Sequence, residues 1–161
     1  MWNEGADAPY FTDKPTWDCY SDLMLWAAYD EQRQLSRPRE HIEDFGSDIA
    51  YQACQADNFP SNYSHLYNVT LWLPTRFGFV FQAEDVGGNL VNIGSSIELL
   101  SHLEKLNCRT WNMASDILEA SAYQGADHGA PLEAGARFAF SLFLRLAQHS
   151  VDEKLPMLLD F

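Results

Sequence analysis

Leu66-Tyr67-Asn68-Val69-Thr70-Leu71-Trp72-Leu73 is the stretch that reads most clearly as a strand. It is rich in β-branched and aromatic residues, and Pro74, which has no amide hydrogen to donate, closes it. Phe77, Phe79 and Phe81 then alternate with Gly78, Val80 and Gln82, the two-residue period of a half-buried strand. Gly87-Gly88-Asn89 is a set of turn residues, and Leu90-Val91-Asn92-Ile93 returns as a third strand. The pattern predicts a three-stranded antiparallel meander, with a fourth strand available from the amino-terminal arm.

Helical patterns flank this middle. Residues 1–15 contain Gly5, Pro9 and Pro15 without periodicity and read as an extended arm. Thr16 caps a helix predicted to run to about Leu35, with Tyr20, Leu23, Met24 and Ala27 on one stripe and Asp18 near its positive end. A second helix is expected from Ser36 and Pro38, with Ile42, Phe45, Ile49, Ala53 and Ala56 inward and Gly46 weakening its middle. Beyond the strands, Ser95 and Glu98 have capping-box spacing and open a helix through Leu106 with Leu99, Leu100 and Leu103 inward. A further helix is expected over Met113–Ala122, capped by Asn112. The most apolar helix starts at Pro131 and carries Phe138, Phe140, Leu142, Phe143, Leu144 and Leu146 around most of its circumference, so it is expected to be central. The predicted class is α+β: two N-terminal helices, a three- to four-stranded antiparallel meander, then three C-terminal helices. At 161 residues the chain is expected to form a single globular domain over 1–161.

Charge narrows the function. Ten Lys and Arg stand against 23 Asp and Glu, a formal net charge of −13. Phosphate binding relies on cations that displace counterions, so nucleic acid is not an expected partner, and an anionic membrane surface repels the chain for the same reason. The densest basic run, Arg33, Arg37 and Arg39, is hemmed in by Asp30, Glu31, Glu40, Glu43 and Asp44. Residues 1–48 hold eleven carboxylates against four cations, threaded with Trp2, Tyr10, Phe11, Trp17, Tyr20, Trp26 and Tyr29. Carboxylates beside exposed aromatics suit the recognition of an Arg- and Lys-rich surface. The residues expected to meet such a partner are Asp13, Asp18, Asp22, Trp26, Asp30, Glu31, Glu40, Glu43 and Asp44. The bland alternative makes at least half of these aromatics core, on a helix with a solvated acidic back.

Catalytic motifs are missing from the sequence. It has no phosphate-binding Gly-rich loop, no dinucleotide fingerprint and no Gly-x-Ser-x-Gly elbow. His41-Ile42-Glu43 copies half of a zinc-deaminase signature, but no Pro-Cys-x-x-Cys follows, so no metal and no cofactor is expected. Asp127-His128, in a glycine-bounded loop, is the best local pair for general acid–base work, against a plain turn as the alternative. Cys54 reads as an inert core residue, while Cys108 beside Arg109 is the cysteine with reactive surroundings. Three widely spaced cysteines do not suggest a disulfide scaffold, and Met1-Trp2-Asn3-Glu4 lacks the basic start and apolar stretch of a signal peptide. The expected compartment is the cytoplasm.

In size, acidity and lack of catalytic motifs the chain resembles the immunity proteins that bacteria carry against secreted toxins of polymorphic or contact-dependent systems. The resemblance is one of gross character, so no functional residues are carried across from it. It implies a non-enzymatic inhibitor that covers the active site of a basic cognate toxin domain, a nuclease for instance. The alternative is an acidic secretion chaperone or adaptor, for which an exposed Phe77-Phe79-Phe81 patch and a dimer would speak. Monomer and dimer are both compatible with the sequence.

Overall fold

The computed structural model describes residues 11–57, 59–85, 87–124 and 129–159. It combines helices with a four-stranded mixed sheet. The chain divides into two compact units: a sheet unit that takes in Asp13, Tyr63–Glu104 and the chain from Leu144 onward, and a helical unit of Lys14–Asn62 and Lys105–Phe143.

In the helical unit, α1 (Trp17–Glu31) starts where the sequence says it should, because the Thr16 hydroxyl accepts from the Cys19 amide at 3.3 Å. It ends at Glu31, short of Leu35. All twelve residues from Cys19 to Asp30 are buried, so the expected solvated acidic back does not exist. Tyr20 stacks on Phe143 at 5.2 Å, and Trp26 stacks on Trp111 at 4.9 Å, which in turn meets Phe140 edge-on. Tyr20 lies on the expected apolar stripe, whereas Trp26 buries a position of α1 outside it.

The second helix is much shorter than expected. Residues 36–44 are irregular, Phe45–Ser47 make one 3-10 turn, and only Ile49–Cys54 is α-helical (α2). Asp48 sets this start: its Oδ1 accepts from the Ala50 and Tyr51 amides, while its Oδ2 accepts from the Tyr29 hydroxyl at 2.9 Å. A carboxylate that can cap a helix and also hold a tertiary donor outcompetes continuation of the helix through Gly46. Ile49, expected inward, is 66% exposed.

The sheet has the order β2-β3-β1-β4 and is not the predicted antiparallel meander. Strand β1 (Leu71–Leu73) pairs in parallel with β3 (Leu90–Ser95), which pairs antiparallel with β2 (Phe81–Glu84). The hairpin turn is the expected one. Asp85 accepts from the Gly87 and Asn89 amides, which hold its carboxyl below the usual range, and Gly88 takes φ +79°, a conformation glycine adopts without strain. What separates β2 from β1 is the return of the chain: Leu73 is followed by a tight turn at Thr75, and Thr75 is tied back to the end of β3 by the Ser95 hydroxyl at 2.6 Å. The fourth strand comes from the other end of the chain. Lys154 at φ +56° turns the chain after the last helix, and β4 (Met157–Leu158) pairs antiparallel with β1, with Trp72 opposite Met157.

Helix α3 (Ser96–Arg109) follows β3 directly, with the Ser95 hydroxyl accepting from the Glu98 amide as predicted. Asn112, expected to cap the next helix, instead sits at φ +51° and donates its amide to the Asn107 carbonyl, which closes the end of α3. Helix α4 then spans Ser115–Gln124, and α5 spans Leu132–Glu153, starting one residue after the expected Pro131.

The core of the sheet unit is Trp72, Tyr63, Leu66, Leu99 and Leu103, all fully buried. His65 ties it together: its carbonyl accepts from the Trp72 indole at 2.7 Å, and its ring Nδ1 accepts from the Ser95 amide at 2.9 Å. Acceptance at Nδ1 requires the neutral ring, and burial pushes the His65 pKa below 6.5, with the Glu98 charge opposing. A lowered folded-state pKa means stability that is present above pH 6.5 and lost as the pH falls through the folded value. Urea unfolding at about pH 7.5 and about pH 5 is therefore expected to show a loss in acid that His65→Gln reduces. An equal loss in both proteins would assign it to other groups.

Candidate functional site

The nine residues expected to face a partner fall into two sets. Five make contacts within their own unit. Asp22 is buried on α1, with Oδ1 2.8 Å from Nδ1 of His41; burial raises its pKa and the His41 bond opposes the rise. Trp26 is buried beside Trp111 and carries the Arg37 guanidinium 3.6 Å above its ring. Asp30 is buried and bridges two cations. Glu31 accepts from the Ser61 hydroxyl at 3.0 Å and from the Asn62 amide. Asp13, in the sheet unit, pairs with Arg145 at 2.5 Å.

The other four, Asp18, Glu40, Glu43 and Asp44, reach the surface of the helical unit, Asp18 partly and the rest fully. Glu40, Glu43 and Asp44 have no ion-pair partner among the described residues. Next to them lies apolar area: Trp17 is 49% exposed and packs edge-on against Phe45 at 5.8 Å, which brings the first turn of α1 to the Asp44-Phe45 segment. The segment is pinned at three points, by His41 to Asp22, by Tyr29 to Asp48, and by the Leu132 amide donating to the Arg39 carbonyl at 3.1 Å. One buried acid, Asp22, thus helps to hold in place the loop that displays the exposed ones. A loop fixed in this way has less conformational entropy to lose on binding.

Comparison of the chain with protein-family models, with curated proteins and with solved structures gives no match to any of them.

A second constellation in the helical unit escaped the sequence reading. Arg109, from the last turn of α3, joins Arg33 and Arg37 around Asp30. Arg33 Nη2 meets Asp30 Oδ1 and Arg109 Nε meets Asp30 Oδ2, each at 2.8 Å. These side chains, with Tyr29, Leu35 and Thr110, line an open cavity of about 310 Å³. Burial pushes the Arg37 pKa down, as does neighbouring Arg33, while Asp30 and Glu133 pull it up. In the sequence 76 positions separate Arg33 from Arg109, and no local pattern links them.

The remaining candidates are quickly placed. His41 of the His41-Ile42-Glu43 motif is committed to Asp22, and among the described residues no group of three or more His, Cys, Asp or Glu is arranged to hold a metal. Asp127-His128 lies outside the described residues. Cys19 and Cys54 are buried, burial raising the Cys19 pKa, and Cys108 is exposed. Among the described residues no helix is long and apolar enough to cross a membrane.

Proposed function

We propose that the chain is a non-enzymatic cytoplasmic inhibitor of the immunity type, which binds a basic toxin domain one to one and covers its active site. The observation that carries the reading is the pinned acidic loop: Glu40, Glu43 and Asp44 stand exposed without ion-pair partners among the described residues, beside exposed Trp17 and half-buried Phe45. Aromatic anchors flanked by carboxylates complement a cleft lined with Lys and Arg, where close charge pairs have coupling energies of about 1.5–7 kcal/mol. Asp18 follows Trp17 in the first turn of α1, and buried Asp22 holds His41 of the loop.

The test is a tagged pulldown from the native cell with mass spectrometry and a salt series, repeated with Glu40→Lys, Glu43→Lys and Asp44→Lys combined. A basic partner recovered one to one, released by salt, and bound on the order of 100-fold more weakly by the triple variant is the expected result. Surface changes of this kind shift stability by only about 0.5 kcal/mol each, so the variant remains folded. An affinity and salt dependence identical to wild type would remove this loop as the interface.

A specific observation favours the adaptor reading as the alternative. Phe77, Phe79 and Phe81 form an aromatic cluster in the sheet unit with ring centroids 5.6–5.9 Å apart, and Phe79 is 63% exposed. A dimer mass in solution together with many extended apolar clients, in place of a single basic partner, would favour that reading.

A further inference from the structure

We propose that the arginine-lined pocket of the helical unit is an oxyanion site that takes a phosphate group, as inorganic phosphate or a small phosphate monoester. The site uses other residues than the exposed acids of the loop and stands whether or not the inhibitor reading holds.

The first argument is charge. Arg33, Arg37 and Arg109 line the pocket with one carboxylate, Asp30, an excess of two positive charges among the described lining residues of a chain whose net charge is −13. Glu133, the other acid that acts on Arg37, pairs with Arg137 at 2.5 Å. An excess of two matches a dianion. A cluster of like charges in so acidic a protein has no value for solubility, and Asp30 alone does not neutralise it.

The second argument is hydrogen bonding. Each guanidinium carries five N–H donors in a fixed fork. Arg33 commits its Nε and Nη2 to Asp30, and Arg109 commits its Nε. Arg33 Nη1, both Nη atoms of Arg109 and the whole of Arg37 have no hydrogen-bond acceptor among the described residues, and Arg37 Nε is buried without one. Tyr29 and Thr110 do not satisfy an acceptor in the pocket, since their hydroxyls donate to Asp48 and to the Leu106 carbonyl. The free donors therefore favour a ligand that brings several acceptors. Phosphate has this property, and guanidinium groups match its geometry.

The third argument is construction. Asp30 orients Arg33 and Arg109, and Trp26 supports Arg37 through the stack at 3.6 Å, so the donors are placed before any ligand arrives. A volume of about 310 Å³ is at the small end of ligand pockets, and Leu35 offers apolar wall for a small substituent.

The test is isothermal titration of the full chain with inorganic phosphate and, separately, with glycerol 2-phosphate, against potassium chloride at equal ionic strength. Fluorescence of Trp26 supplies a second readout, because Arg37 lies on its ring. Saturable one-to-one binding, weakened about tenfold or more in Arg37→Gln and in Arg109→Gln, is expected. Tighter binding of the monoester supports an organic phosphate as the ligand, and equal binding supports inorganic phosphate. A response no different from that to chloride overturns the proposal, and that comparison needs only the wild-type protein. Wild-type affinity in the folded variants overturns it too, as does succinate binding as tightly as phosphate.

Discussion

Gly135→Ala is expected to destabilise the protein by about 0.5–2 kcal/mol, although it puts the best helix former in place of a poor one within α5. A Cβ at this position would clash with Oδ2 of Asp22 and lie 3.1 Å from its Cγ. That carboxylate has nowhere to go: it is buried, and its other oxygen is held by His41. Relief requires either a shift of α5 against α1, an overpacking cost of about 1–3 kcal/mol, or rupture of the Asp22–His41 bond, worth about 1.5–3 kcal/mol when one partner is charged. The gain in helix propensity, about 1 kcal/mol, offsets only part of this. Urea unfolding is the measurement, and the corresponding fall in melting temperature is about 2–4 °C per kcal/mol for a chain of this size. The cause is checked by placing the change in an Asp22→Ala background, where the obstacle is gone and Gly135→Ala should be neutral or stabilising. A Gly135→Ala protein as stable as wild type would mean that α5 does not approach Asp22 as closely as described.

Asp30→Asn is expected to cost more, about 2–4 kcal/mol, by a different mechanism. The substitution keeps the shape and removes the carboxylate that pairs with Arg33 and Arg109 and raises the pKa of Arg37. Breaking a buried ion pair typically costs about 3–5 kcal/mol, because the surviving charge stays buried without compensation. Here Arg33 is mostly exposed and Arg109 partly so, and both can recover hydration, which brings the expected loss to the lower figure. Added sulfate should stabilise Asp30→Asn more than wild type, since in the variant an anion also takes the place of the missing carboxylate among the guanidinium groups. A loss below about 0.5 kcal/mol would show that the three arginines do not depend on Asp30.

Local chemistry accounts for the features that were legible in advance. Thr16 and Ser95 begin their helices because a hydroxyl meets an amide three residues on, and Asp85 to Asn89 turn the hairpin through bonds that span at most four residues. Pro131 opens α5 for the same kind of reason. The expected helix from Ser36 failed because its competitor was not local: Asp48 is held by Tyr29, nineteen residues away. Likewise the acidic stretch did not sort itself into inner and outer residues on spacing alone. Asp22 and Asp30 lie inside because His41 and Arg109 come to meet them, which turns a costly buried charge into a bonded one.

The sequence by itself determined the mixed helix-and-strand composition, the helix starts that capping residues mark, the β2–β3 hairpin and the overall acidity, all of which depend on neighbours within a few residues. Only the tertiary structure decided that β1 runs parallel to β3 and that Met157–Leu158 completes the sheet, since strand order is set by packing between distant segments and leaves no periodic mark. It also decided which carboxylates face the solvent, and that Arg109 joins Arg33 and Arg37 in one pocket. Charge in a sequence is a sum, whereas burial and pairing are properties of place, and place is fixed by contacts between residues far apart in the chain.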